Sequence, residues 1–153
     1  MADQRRRAAA RATVVALVVI ALDQLTKHTL GTWIQPGQVR HVIPGLTLVY
    51  ERNSGVAFSV LAGTGALVYV VIAAALITLM AFLMLRPSRR LLWLPTGMFV
   101  GGAIGNLIDR VAHGSVIDFI QLPHWPAFNI ADTCITLGVI ILVFVIERGQ
   151  RDA

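Results

Sequence analysis

Four long apolar stretches constrain the fold of this chain more than any other feature. They lie at about 8–30, 61–85, 91–108 and 128–146, and each has roughly the 20 mostly apolar residues that an α-helix needs to cross a bilayer. Only 14% of the residues are charged and 56% are hydrophobic, whereas a soluble domain carries about 25% charged residues. The sequence therefore predicts an all-α integral membrane protein with four transmembrane helices.

The basic residues predict how these helices are oriented. Nine of the 13 basic residues lie in three places that would share one side of the membrane: Arg5, Arg6, Arg7 and Arg11 before the first stretch, Arg86, Arg89 and Arg90 between the second and third, and Arg148 and Arg151 after the fourth. Basic residues near membrane helices concentrate on the cytoplasmic side. Both termini are therefore predicted to be cytoplasmic. No repeat or separate soluble domain interrupts the chain, so residues 1–153 are predicted to form a single membrane domain.

The outer connection at about 31–60 is predicted to contain strands. The turn signal Pro44-Gly45 separates two runs rich in Val, Leu, Thr and Tyr, which is a pattern typical of short paired strands. Trp33 and Trp125 lie where interfacial aromatic residues are expected. The fold prediction thus includes a small strand-containing extracytoplasmic segment on the membrane surface.

Polar side chains are concentrated at the outer ends of the predicted spans. Ionisable groups at membrane depth are costly, so each of them is a functional hypothesis. The set comprises Asp23, Lys27, Asn53, Asn106, Asp109, Arg110, Asp118, Asn129 and Asp132. In a four-helix bundle these residues would converge on one layer. Spacings of three or four residues place several of them on shared helix faces, and they allow an ion pair between Asp23 and Lys27. Asp109 and Arg110 could form a second ion pair. The alternative to a functional role for these two residues is that they simply satisfy each other.

Asp118 and Asp132 differ from the other acidic residues of this layer, because neither has a basic residue within four positions. Two carboxylates that lie close together share one proton. The charged member can then take a proton from water, and the protonated member can give one to a carbonyl group or a leaving amine. Peptide hydrolysis needs these two roles and no cofactor.

Other chemistries have weaker support in the sequence. The nucleophile motif G-x-S-x-G and the zinc motif H-E-x-x-H are both missing from the printed sequence. Cys134 is interpreted as a packing residue, and Gly101 and Gly105 as a helix-packing pair. Neither a metal nor nucleic acid is expected as a partner. Three alternatives remain: a small membrane transporter or proton relay, an assembly subunit that binds a partner through the polar layer, and a presenilin-type protease, for which the GxGD block is missing.

Five sequence blocks carry a resemblance to a known family. They are DQLTK at 23–27, ERNSGVAFSVL at 51–61, GGAIGNLIDR at 101–110, VIDFI at 116–120 and FNIADTCI at 128–135. In this order, the blocks resemble the lipoprotein signal peptidases (signal peptidase II). The resemblance spans most of the chain between residues 23 and 135.

The resemblance implies an intramembrane aspartyl endopeptidase of the bacterial inner membrane. Its substrate would be a diacylglyceryl-modified prolipoprotein, cut on the amino side of the lipidated cysteine, and the enzyme would act as a monomer among membrane lipids. The family pattern implies that Asp118 and Asp132 are catalytic and that Asp109 is structural. The supporting or substrate-binding positions that it implies are Asp23, Lys27, Asn53, Gly55, Asn106, Arg110 and Asn129.

Overall fold

A computed structural model describes residues 2–54 and 91–151, together with residues 70, 74, 77, 78, 81, 82 and 85. The described elements are α1 (Ala2–Trp33), β1 (Val39–Ile43), β2 (Leu46–Asn53), α2 (Trp93–His113), β3 (Val116–Gln121) and α3 (Ile130–Arg151). The predicted span at 61–85 lies largely outside the described residues. Gly55 and the basic connection at 86–90 lie wholly outside them.

Three of the predicted spans coincide with described helices. Two of these helices, Ala2–Trp33 and Ile130–Arg148, are long and apolar enough to cross a membrane. The third, α2, has 21 residues and is therefore about 31 Å long. With 32 residues, α1 is about 48 Å long and extends beyond the predicted range of 8–30. Within the described residues the helices fit a membrane protein, and the count of four spans remains a prediction.

Glycines on two faces of α2 let it pack closely against both neighbouring helices. A Cβ atom at Gly101 would lie 2.7 Å from the carbonyl oxygen of Ala16 on α1, and one at Gly102 would lie 2.5 Å from that of Ala131 on α3. Side chains at these positions would push the helices apart. Small residues allow this kind of backbone approach in membrane helices, and the expected packing role of Gly101 is confirmed.

The two faces of α1 differ in the way expected of a helix in lipid. Its buried residues are Ala12, Ala16, Val19, Asp23 and Lys27. They form a stripe whose side chains are small or apolar toward the N-terminus of the helix and charged toward its C-terminus. Its large aliphatic side chains are exposed, among them Leu17 and Leu25 with exposed fractions of 60% and 62%. Apolar groups thus face outward, and the charged groups face other protein elements.

The strands form one antiparallel sheet in the order β1-β2-β3. The predicted turn joins β1 to β2, and Gly45 supplies its positive φ of 84°. The third strand was not predicted, because the sequence analysis placed strands only in the segment at about 31–60. In the structure β3 pairs with β2, and Asp118 lies opposite Glu51. The strand-containing region therefore extends beyond the predicted 31–60.

Candidate active site

The predicted polar layer comes together where one end of the helix bundle meets the sheet. Six of its members are almost fully buried: Asp23, Lys27, Asn106, Asp109, Asp118 and Asn129. Asn53, Arg110 and Asp132 are half-buried at its margin. The described members of the predicted set thus lie in one cluster, although they come from three helices and two strands.

Asn129 has two tasks at the start of α3. Its Oδ1 accepts a hydrogen bond of 2.9 Å from the backbone N–H of Asp132, which is the usual role of an asparagine that caps the N-terminus of a helix. Because the backbone of the helix holds Oδ1, the Nδ2 group points away from the helix. That group donates to Asp118 Oδ1 at 2.7 Å and to Asn106 Oδ1 at 3.1 Å. Within the motif FNIAD, Asn129 therefore caps the helix that carries Asp132 and donates a hydrogen bond to Asp118.

Asn106 on α2 connects this amide to the second aspartate. Its Nδ2 donates to Asp132 Oδ1 at 2.8 Å, and its Oδ1 also accepts a hydrogen bond of 3.1 Å from Lys27 Nζ. The amides of Asn129 and Asn106 therefore form a continuous bridge between Asp118 and Asp132. We call the two aspartates the dyad.

Asp118 projects from β3 into the buried side of the sheet, and only 2% of the residue is exposed. Burial raises the pKa of its carboxyl group to about 6, and the charge of Asp132 acts in the same direction. Hydrogen bonds from Asn53 and Asn129 and the charge of Lys27 oppose this rise in the pKa. Asp118 can therefore exchange a proton near neutral pH, which an exposed aspartate with an ordinary pKa does not do.

A second pair of aspartates beside the dyad is held by a cation. Lys27 Nζ lies 2.8 Å from Asp23 Oδ2 and 2.8 Å from Asp109 Oδ2. With its contact to Asn106, the ammonium group uses all three of its donors inside the protein. The predicted pair of Asp23 with Lys27 is confirmed. An ammonium group thus occupies the space between these carboxylates. Among residues 2–54 and 91–151, no group of three or more His, Cys, Asp or Glu residues has the arrangement of a metal site.

Asp109 differs from the sequence-based expectation, because its ion-pair partner is Lys27 on α1 and not its neighbour Arg110. Adjacent residues on a helix point in different directions, so the geometry disfavours an ion pair between Asp109 and Arg110. Arg110 Nη1 instead donates to the carbonyl oxygen of Asn106 at 3.4 Å. Arg110 therefore stays at the margin of the site while Asp109 is buried within it.

Gln24 belongs to this cluster although the sequence analysis did not select it. Its Nε2 lies 2.9 Å from Asp109 Oδ1 and 3.2 Å from Asp23 Oδ2. An amide within an apolar span is costly when it has no partner. Its position beside Asp23 was therefore a signal that could have identified it.

A family model and named relatives match most of this chain. The family model described as signal peptidase (SPase) II matches residues 15–147. The lipoprotein signal peptidase of Moorella thermoacetica is 46% identical over 142 residues, which cover 90% of this chain and 95% of that protein. The lipoprotein signal peptidase of Thermodesulfovibrio yellowstonii is 31% identical, covering 88% of this chain and 92% of that protein.

Solved structures show the same fold. A bacterial membrane enzyme solved by the in meso method at 2.3 Å resolution is 30% identical and superposes with a TM-score of 0.83, covering 92% of this chain and 90% of its own. A second bacterial membrane enzyme, solved at 1.9 Å, is 32% identical with a TM-score of 0.77, covering 88% of this chain and 91% of its own. These relatives and structures cover 88–92% of the chain at 30–46% identity. The chain therefore belongs to the signal peptidase II family, the lipoprotein signal peptidases.

Proposed function

We propose that Asp118 and Asp132 are the catalytic pair of an aspartic endopeptidase that removes the signal peptide from diacylglyceryl-modified prolipoproteins. Family membership supports a signal peptidase over the transporter and the assembly subunit. The observation that supports the dyad is the way its two carboxylates are held. Both accept hydrogen bonds from neutral amides, and within the described residues neither forms an ion pair with a basic side chain.

The reaction follows from one proton shared between the two carboxylates. The charged carboxylate removes a proton from water, and the water oxygen bonds to the carbonyl carbon of the scissile peptide. The protonated carboxyl group gives its proton to the carbonyl oxygen. When the C–N bond breaks, the leaving amine takes a proton from the carboxyl group that acted as the base. The pair then regains its single proton from the product side, and no cofactor is consumed.

The asparagines have a supporting role in this proposal. Asn129 and Asn106 orient the dyad, because their amide donors are directed at its carboxylates. Asn53 also donates to Asp118, at 3.1 Å, and it lies at the end of β2 beside the site. We assign contacts with the extended peptide or the lipid ester groups to Asn53 and Arg110, which are half-buried at the margin. The role of Gly55 stays a prediction.

The proposed placement is the bacterial cytoplasmic (inner) membrane, with one domain, four spans and both termini cytoplasmic. The substrate's acyl chains remain in the bilayer, so the scissile bond lies at the outer boundary of the hydrocarbon core. A dyad formed by β3 and the first turn of α3, at the proposed outer end of the bundle, suits that depth. We propose that the enzyme acts as a monomer, since the described contacts assemble the dyad from one chain.

One assay tests the substrate and the chemistry together. Purified protein is incubated with a diacylglyceryl-modified prolipoprotein and with the same prolipoprotein lacking the lipid, each with and without EDTA. We expect cleavage of the lipidated substrate alone, on the amino side of its modified cysteine, at a rate unaffected by EDTA. Cleavage of both substrates would contradict the proposed specificity, and inhibition by EDTA would contradict the two-carboxylate mechanism.

A further inference from the structure

A buried group of four residues next to the dyad links two carboxylates by two different donors. Lys27 Nζ lies 2.8 Å from Asp23 Oδ2 and 2.8 Å from Asp109 Oδ2. Gln24 Nε2 lies 3.2 Å from Asp23 Oδ2 and 2.9 Å from Asp109 Oδ1. One cation therefore serves two anions, and a neutral amide supplies the additional donor. We call Asp23, Gln24, Lys27 and Asp109 the lysine clamp.

Each carboxylate of the lysine clamp also holds one backbone segment of the site. Asp109 Oδ2 accepts a hydrogen bond of 3.2 Å from the N–H of Ile117 on β3. Asp23 Oδ1 accepts one of 2.9 Å from the N–H of Ala131 in the first turn of α3. Each of these two N–H groups belongs to the residue directly before a dyad aspartate. The clamp thus connects the two elements that carry the dyad.

We propose that the lysine clamp sets the separation of the dyad carboxylates, and that Gln24 is a positioning residue for the reaction. This inference depends on the proposed function, in which Asp118 and Asp132 are catalytic. Gln24 touches neither of them, so it acts through the clamp.

The amide of Gln24 is suited to this task by its contacts with two helices. Besides the two carboxylates, Nε2 lies 3.2 Å from the carbonyl oxygen of Gly105 on α2. The space for this arrangement depends on the glycine, because a Cβ atom there would lie 2.8 Å from Asp23 Oδ2. Without the amide, Asp109 Oδ1 loses this donor. The carboxylate can then rotate and weaken its hydrogen bond to Ile117. A misplacement of about 1 Å can cost a reaction on the order of 100-fold in rate.

The first experiment replaces Gln24 by methionine, which has a similar length and no donor. Thr29→Val is the matched control on the same helix, because Thr29 is exposed and its hydroxyl donates to the carbonyl oxygen of Leu25. For Gln24→Met we expect kcat to fall at least about tenfold, KM to stay within about twofold, and the alkaline limb of the pH profile to move to lower pH as the carboxylates separate. Thr29→Val keeps the parent values. A folded Gln24→Met protein, verified by its unfolding temperature, with the parent kcat and pH profile overturns the proposal.

The second experiment exchanges the donor and the acceptor, and it decides the matter even if Gln24→Met does not fold. Gln24→Glu places a third carboxylate beside one ammonium group, and Asp109→Asn sets two amide groups against each other. The double variant restores two carboxylates, one amide and one lysine, with the hydrogen bond reversed. We expect kcat to fall more than about tenfold in each single variant and to recover to within about fivefold of the parent in the double variant, since residues in contact are non-additive. A double variant no better than the worse single variant overturns the proposal.

Two further variants separate a failure of this inference from a failure of the proposed function. Asp118→Asn and Asp132→Asn are assayed with the same lipidated substrate. If either cleaves at the parent rate, the catalytic assignment fails and the positioning role fails with it. If both are inactive while Gln24→Met and the exchange variants all retain the parent kcat, the lysine clamp alone is wrong.

Discussion

Two pairs of aspartates lie side by side where the helices meet the sheet, and they are held in opposite ways. Asp23 and Asp109 share the ammonium group of Lys27, at 2.8 Å from each. Asp118 and Asp132 instead accept hydrogen bonds from asparagine amides, at 2.7 Å and 2.8 Å. A positive charge holds the first pair in place, and neutral amide groups hold the second.

This difference separates a structural role from a chemical one. An ammonium group in direct contact holds its two carboxylates by opposite charge. An amide orients a carboxylate while adding no net charge. The dyad can therefore be fixed in place and still exchange a proton. In the proposed function, aspartate thus holds the structure together in one pair and transfers protons in the other.

The largest expected effect comes from neutralising one member of the dyad. Asp118→Asn or Asp132→Asn removes a proton carrier and leaves the size of the side chain nearly unchanged. Because each carboxylate serves as acid or base in the proposed mechanism, we expect cleavage of the lipidated prolipoprotein to fall at least about 1,000-fold. The rate is measured by following release of the signal peptide under single-turnover conditions.

Thr29→Val is the control for this loss, and the unfolding temperature of each variant shows that it is folded. A folded Asp132→Asn protein that cleaves at the parent rate would remove the distinction between the two pairs.

Removing the cation tests the other side of the comparison. Lys27→Met leaves the buried carboxylates of Asp23 and Asp109 without their counter-charge. Breaking a buried ion pair on one side costs about 3–5 kcal/mol, so we expect a large drop in the free energy of unfolding. The measurement is denaturant unfolding in detergent micelles.

Arg7→Gln is the matched cationic control, because the ion pair of Arg7 with Asp3 is exposed and exposed pairs contribute about 0–1 kcal/mol. Equal losses in the two variants would show that the buried cation does not hold the first pair together.

The sequence predicted the polar cluster and the pair of Asp23 with Lys27, but not the other contacts within the cluster. Convergence was predictable, since polar groups in a membrane protein gather where they can satisfy one another. Asp118 and Asp132 were distinguished by having no basic residue nearby in sequence. The partner of Asp109 was not predictable, because Lys27 lies 82 positions earlier and only the packing of α1 against α2 brings the two side chains together.

The strand that carries Asp118 escaped prediction for a similar physical reason. Its pairing with β2 joins Val116 to Asn53 across a long separation in the chain, and local pattern does not report such pairing. The nearby prolines, Pro123 and Pro126, lie just beyond the strand, where the chain turns back and Phe128 pairs with Ile120. These prolines therefore mark the end of the strand.

Asn129 offers a sharper test, because its two tasks can be separated. Asn129→Ser keeps an oxygen that can cap α3 but loses the amide donor to Asp118. Serine and asparagine are similar as caps, so we expect the capping contribution of about 1 kcal/mol to be largely kept. The cleavage rate falls about 10- to 100-fold as Asp118 loses its orientation.

Asn129→Ala removes both functions and is the comparison variant for the cap. If Asn129→Ser and Asn129→Ala lose stability equally, the capping role is wrong. If Asn129→Ser cleaves at the parent rate, the amide does not orient the dyad.

The smallest expected effect is a displacement of the pH profile of cleavage relative to that of the parent enzyme. The pKa of Asp118 is raised to about 6 by burial and by the charge of Asp132. Below this pH the pair holds the proton that the acid step requires, and above it the proton is lost. We therefore expect kcat/KM to decline above about pH 6, by about tenfold per pH unit once the limb is fully developed.

Asn129→Ser should move the limb to higher pH, because it removes a hydrogen bond that favours the charged form of Asp118. The measurement is kcat/KM between pH 5 and pH 8 in buffers of constant ionic strength, with Thr29→Val as the unchanged reference. A flat profile over this range would contradict a role of the amide-held pair in proton transfer.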